Sequence, residues 1–88
     1  MTLLLVFRLQ GWEDYRYWQE HDRVMLKRVN RLIDACLRSP YDGIGKPEQL
    51  KYGIAGGWSR RLDEEHRLVY QVAGSDLIIL QARFHYSE

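Results

Sequence analysis

The chain of 88 residues is poor in the features that define several protein classes. Its single cysteine, Cys36, cannot form an internal disulfide and leaves a thiolate metal site without ligands. It reads instead as a small apolar residue in a helix core. The longest apolar run, Leu3 to Phe7, is five residues. That is shorter than the roughly 7–15 of a signal peptide or the about 20 of a membrane span. A cytoplasmic protein with no membrane partner is therefore expected, with Leu3–Phe7 a buried strand inside a sheet. The net charge of +1 excludes a protein that coats nucleic acid by bulk charge, so a phosphate-binding surface must come from local clustering. No GxSxG elbow, CxxC or HExxH occurs. Gly45-Lys46 lacks the upstream glycine and following Ser/Thr of a P-loop. The three histidines, His21, His66 and His85, fall on separate elements without ligand spacing, so neither a metal nor a cofactor is expected.

What remains is a globular composition, 45% hydrophobic and 28% charged, in a single domain spanning 1–88. After Leu3–Phe7, Gln10-Gly11 reads as a break. Trp12, Tyr15, Tyr17 and Trp18 then suit a short aromatic helix, with Glu13 and Asp14 in its first turn. Asp22 is a plausible N-cap for a second helix, whose stripe is Met25, Val29, Leu32, Ile33, Cys36 and Leu37. Arg23, Lys27, Arg28 and Arg31 lie off the stripe, and Ser39-Pro40 ends the helix. A glycine-rich loop with a brief extended piece near Leu50 follows. Three strand-like runs close the chain: Trp58–Leu62, His66–Val72 and Leu77–Tyr86, separated by Asp63-Glu64-Glu65 and Gly74-Ser75-Asp76. The order β-α-α-β-β-β implies an α+β fold: a short, antiparallel-rich sheet with two helices on one face.

Strand alternation places Arg61, Arg67, Arg83 and His85 together on the face away from the helices. Guanidinium groups gathered there suit a phosphate, which arginine binds with paired hydrogen bonds. Equally, Asp63, Glu64 and Glu65 could pair with these arginines on a solvated face, and alternation does not separate the two readings. Such a surface could cleave RNA without a metal. The 2′-hydroxyl attacks its own phosphate, a base takes its proton and an acid protonates the leaving 5′-oxygen. Cations hold the charge that develops on phosphorus. Arg67 suits the last role, His85 the exchange of a proton, and Glu48, between Lys46 and Lys51, is a candidate base.

These residues carry a resemblance. Trp12-Glu13-Asp14-Tyr15 with Tyr17-Trp18-Gln19, Gly45-Lys46-Pro47-Glu48 with Leu50-Lys51, Trp58-Ser59-Arg60-Arg61, Glu64-Glu65-His66-Arg67-Leu68-Val69-Tyr70, and Arg83 with His85-Tyr86 resemble the YoeB (Txe) toxins of the RelE/YoeB superfamily. The resemblance implies a microbial-ribonuclease-like fold, often dimeric, and the toxin of a type II toxin–antitoxin pair. It also implies messenger RNA cleavage in the ribosomal A site, neutralisation by a YefM/Phd-like antitoxin, and operator DNA binding only through the antitoxin complex. Residue by residue, it implies catalytic roles for Glu48, Arg67, His85 and Tyr86 and RNA-binding roles for Lys46, Lys51, Arg60 and Arg61. Arg83 joins the RNA-binding set from its place on the open face. The pattern departs at Gln49, where a proline is common, at Gly57, where an aromatic is common, and at Ser87-Glu88, which follow the terminal tyrosine. A homologue without activity that only docks on an antitoxin or on RNA is the alternative.

Overall fold

A computed structural model of the chain describes residues 3–84. Its elements are β1 (Leu4–Phe7), α1 (Leu9–His21), α2 (Arg23–Arg38), β2 (Glu48–Gln49), β3 (Gly57–Arg61), β4 (Arg67–Ala73) and β5 (Asp76–Gln81). The sheet order is β1-β5-β4-β3-β2. β1 runs parallel to β5 and the other pairs are antiparallel. The result is the expected α+β layer, with a two-residue strand added at Glu48. Among the described residues no helix is long and apolar enough to cross a membrane.

The second helix forms as its sequence dictates. The Asp22 carboxylate accepts the Met25 N–H at 3.0 Å, satisfying one free donor of the first turn. The stripe then buries Val29, Leu32, Ile33 and Cys36 against Leu68, Tyr70, Leu77 and Ile79 of the sheet. Burial pushes the Cys36 thiol from about 9 up to about 11, against the opposing charge of Arg60. It also pushes the Tyr70 hydroxyl well above the usual phenol range. Both shifts favour the neutral form in the folded state. Their contribution is therefore complete below the unfolded thiol value near 9 and declines as pH rises toward 11. We expect Cys36 to resist alkylation at pH 8 until the chain is unfolded, and denaturant midpoints to fall between pH 9 and 11.

The first helix corrects two expectations. Gln10-Gly11 does not break the chain, because α1 begins at Leu9 and carries Gly11 on its buried side. Glu13 and Asp14 accordingly lie beyond the first turn. Glycine is required there by close approach: a Cβ at Gly11 would sit 2.4 Å from the Ile79 carbonyl oxygen of β5. Gly11→Ala is expected to destabilise the fold by about 1–3 kcal/mol through overpacking, although alanine is the better helix former. Equilibrium urea unfolding reads the sign.

The leading strand is also differently placed. β1 is the outer strand of the sheet beside β5, with Leu4, Leu5 and Val6 exposed. Apolar side chains on both its faces thus remain partly uncovered. Its inner end, Leu5 and Phe7, opens into a groove of about 490 Å³ lined also by Trp12, Tyr15, Ile33 and Leu37.

In the last strand, Val69 pairs with Gln81 but Tyr70 pairs with Ile79, so Leu80 is an extra residue that bulges. The bulge shifts the alternation, and Leu77, Ile79 and Ala82 face the core.

Candidate active site

Cross-strand partners share a face, so the register assembles the site without reference to side-chain positions. Glu48 pairs with Ser59, Ser59 with Val69, and Val69 with Gln81. Two residues along β3, Arg61 pairs directly with Arg67. Glu48, Arg61 and Arg67 therefore lie on the face away from the helices, over a buried floor of Ser59 and Val69. Glu48 and Arg61, diagonal neighbours, are roughly 7–8 Å apart at their backbones, and Arg61 and Arg67 about 5 Å. Glu48 and Arg61 are exposed, whereas Arg67 is half-buried.

Two like charges set directly opposite destabilise a sheet unless something neutralises them. The acidic triplet does not. Asp63 Oδ1 accepts the Glu65 and His66 N–H groups at 2.8 and 2.7 Å, closing the β3–β4 turn. Glu65 lies 3.5 Å from His66 Nε2. Among the described residues neither Arg61 nor Arg67 has an acidic partner. One terminal nitrogen of Arg67, Nη1, is buried with no hydrogen-bond partner among them. A buried guanidinium N–H in want of an acceptor is what an incoming phosphate oxygen would satisfy.

The approach to Glu48 is shaped by its loop. Gly45 has φ +83°, and a Cβ there would lie 2.9 Å from Leu32 and 3.2 Å from the Arg60 Cβ. The Gly45 carbonyl accepts the Arg61 N–H at 2.7 Å, tying the loop to β3. Lys46 follows with φ 51°, a left-handed conformation that costs a non-glycine residue of order 1 kcal/mol. Its side chain is exposed, as is that of Lys51 beyond β2.

Two expected site members are placed otherwise. Arg60 is fully buried on the helix side of β3. Its Nη2 donates to the Ser39 and Asp42 carbonyls at 2.6 and 2.8 Å, its Nη1 to Ile44 at 3.0 Å, and its Nε to the Tyr70 hydroxyl at 3.1 Å. It braces the loop leaving α2, with four of its five N–H donors committed to protein oxygens and the side chain buried away from solvent. Arg83 does not join Arg61 and Arg67, because β5 has ended at Gln81. Its guanidinium lies 3.5 Å from the centre of the Tyr17 ring on α1, a cation–π contact. His85 and Tyr86 lie outside the described residues.

The family model for the YoeB-like toxin of bacterial type II toxin-antitoxin systems matches residues 7–86. The chain belongs to the YoeB toxin family. A YoeB toxin from Streptomyces coelicolor is 52% identical over 82 residues, covering 93% of this chain and 98% of that protein. The YoeB/ParE toxin structure from Agrobacterium tumefaciens superposes with a TM-score of 0.91 at 49% identity, covering 96% of this chain and all of that one. The toxin of a YoeB–YefM complex from Staphylococcus aureus gives 0.86 at 40% identity, covering 98% of this chain and 100% of that chain. Membership makes this chain a type II toxin, and the Glu48–Arg61–Arg67 face belongs to a YoeB-type domain.

Proposed function

We propose that this toxin is a ribosome-dependent endoribonuclease that cleaves messenger RNA in the A site by metal-independent acid–base chemistry and so inhibits translation. The observation that carries the reading is the pairing of Arg61 with Arg67, unneutralised among the described residues, on the face that also holds Glu48. In this reading one of Glu48 and His85 removes the proton from the 2′-hydroxyl. The freed oxygen attacks the adjacent phosphorus, the bond from phosphorus to the 5′-oxygen breaks, and the other residue protonates that oxygen. Arg67, with Arg61 beside it, holds the negative charge on the phosphoryl oxygens. Lys46 and Lys51 flank Glu48 and steer the message, and Tyr86 completes the catalytic set. The two-group scheme implies a bell-shaped dependence of rate on pH.

The partner in this reading is an antitoxin of the YefM kind, the assembly seen for the Staphylococcus aureus relative. The exposed apolar edge at Leu4–Val6 suits coverage by another chain. The test is cleavage of a defined message on programmed ribosomes, with end analysis of the fragments. Attack by the 2′-hydroxyl leaves a 2′,3′-cyclic phosphate upstream and a 5′-hydroxyl downstream. A 5′-phosphate on the downstream fragment would point to an activated water and overturn the mechanism. No cleavage, with or without ribosomes, would favour the docking-only homologue.

A further inference from the structure

The backbone of residues 82–84 is held by five hydrogen bonds, one from the neighbouring Gln81 side chain to the Arg83 carbonyl and three to side chains far away in sequence. Asp14 Oδ2 accepts the Ala82 N–H at 2.9 Å, and one helical turn on, Trp18 Nε1–H donates to the Ala82 carbonyl at 2.8 Å. His66 Nδ1 accepts the Phe84 N–H at 2.8 Å, and the Arg67 N–H donates to the Phe84 carbonyl at 3.1 Å. Asp14 is 3% exposed, and its other oxygen takes the Gln10 side-chain amide at 2.8 Å. The His66 ring is wedged between those of Trp18 and Phe84, at 4.9 and 5.2 Å. Because Nδ1 accepts a backbone N–H, the ring proton of neutral His66 is on Nε2, toward Glu65.

Burying a carboxylate is costly, and apolar packing of Leu77 and Ile79 already anchors β5. The added polar contacts lie beyond that anchor. The Leu80 bulge interrupts the ladder and the strand ends at Gln81. Past this point Asp14, Trp18 and His66 join the Arg67 N–H of β4 in fixing the backbone, up to the residue that immediately precedes His85 in the chain.

We infer that Asp14, Trp18 and His66 are positioning residues for the cleavage reaction, fixing the backbone of residues 82–84 to which His85 is joined in the chain. The inference rests on the nuclease reading given above. A group held within a fraction of an ångström of its working place reacts far faster than one free to wander. Loss of the clamp should therefore lower the chemical step and leave ribosome binding alone.

The test is single-turnover cleavage on programmed ribosomes by the full chain, with variants at His66 that differ only in where an acceptor stands. His66→Asn puts an amide oxygen where Nδ1 was. His66→Gln puts it nearer Nε2, and His66→Ala removes it. We expect the maximal rate to fall about 10- to 100-fold in the Ala and Gln variants, with an unchanged half-saturating ribosome concentration. The Asn variant should recover to within about threefold of wild type. Exchange of the Phe84 amide proton should accelerate in the Ala and Gln variants and not in Asn. Asp14→Asn, which keeps an acceptor for Ala82, serves as a second probe and should resemble His66→Asn. Equal rates for Asn and Gln, or unchanged rates where Phe84 exchange has accelerated, would overturn the inference. A wild-type chain that cleaves nothing overturns the nuclease reading and this inference together, whereas cleavage by wild type with indifferent variants overturns the inference alone.

Discussion

Replacing Arg67 by alanine should slow single-turnover cleavage of ribosome-bound message by about 10²–10³-fold, the range for removing one donor from a preorganised charge-stabilising site. The reason lies in its surroundings. Arg67 is half-buried, its Nη1 has no partner among the described residues, and its direct neighbour across the sheet is another arginine. Its guanidinium is thus held beside a like charge, without a carboxylate, in a setting where an anion would be bound strongly. Arg67→Lys should recover little, because a point charge cannot offer the two parallel N–H groups that fit phosphate oxygens. The stability of the variants separates this account from a structural one. Removing one of two opposed cations relieves repulsion of about 0.2–1 kcal/mol, so the melting temperature of Arg67→Ala should hold or rise while the rate collapses. A variant that keeps its rate would remove Arg67 from the site.

The second large effect is on folding, at the neighbouring arginine in the same motif. Arg60→Ala should destabilise the chain by several kcal/mol, because each buried acceptor left without its donor costs about 1–3 kcal/mol. Four acceptors lose their donor at once: the Ser39, Asp42 and Ile44 carbonyls and the Tyr70 hydroxyl, which itself donates to the Pro40 carbonyl at 2.5 Å. For a domain this small, that is a large part of a total stability of about 5–15 kcal/mol. Arg60→Lys should not rescue it, since one ammonium cannot span three carbonyls on a planar fork. Tyr70→Phe should cost less, about 1–2 kcal/mol, because it removes one hydroxyl from the network. Urea unfolding followed by tryptophan fluorescence reads all three. A stable Arg60→Ala chain with impaired cleavage would instead return this arginine to the RNA surface.

These adjacent arginines show where a sequence reading is sharp and where it is blunt. Alternation separated Arg60 from Arg61 by face, and the register keeps that separation. The motif resemblance then grouped both as RNA-binding. The motif records that an arginine stands there, whereas whether it meets phosphate or backbone carbonyls depends on the loop folded beneath it. α2, its Asp22 cap and the hairpin around Gly74 were legible because each depends on residues a few positions apart. α1 was misread at Gly11 and β1 in its sheet position. Both depend on where β5 packs, some seventy residues later. Arg83 was misplaced for a related reason. Alternation assumes an unbroken strand, and the Leu80 bulge and the strand's end at Gln81 break that assumption. Asp14 carried one usable signal, a carboxylate four residues before a tryptophan on the inner side of a helix. Its partner is a backbone N–H, which no side-chain pattern reveals.

The central claim, that this face drives attack by the 2′-hydroxyl of a message in the ribosome, can be tested on the substrate alone. Two messages are placed in the A site of otherwise identical programmed ribosomes, one all-ribose and one with a single 2′-deoxynucleotide at the scissile position. The account predicts cleavage of the first and none of the second at that position. Cleavage of both at similar rates would contradict it, because a nucleophile other than the 2′-hydroxyl would then be breaking the chain.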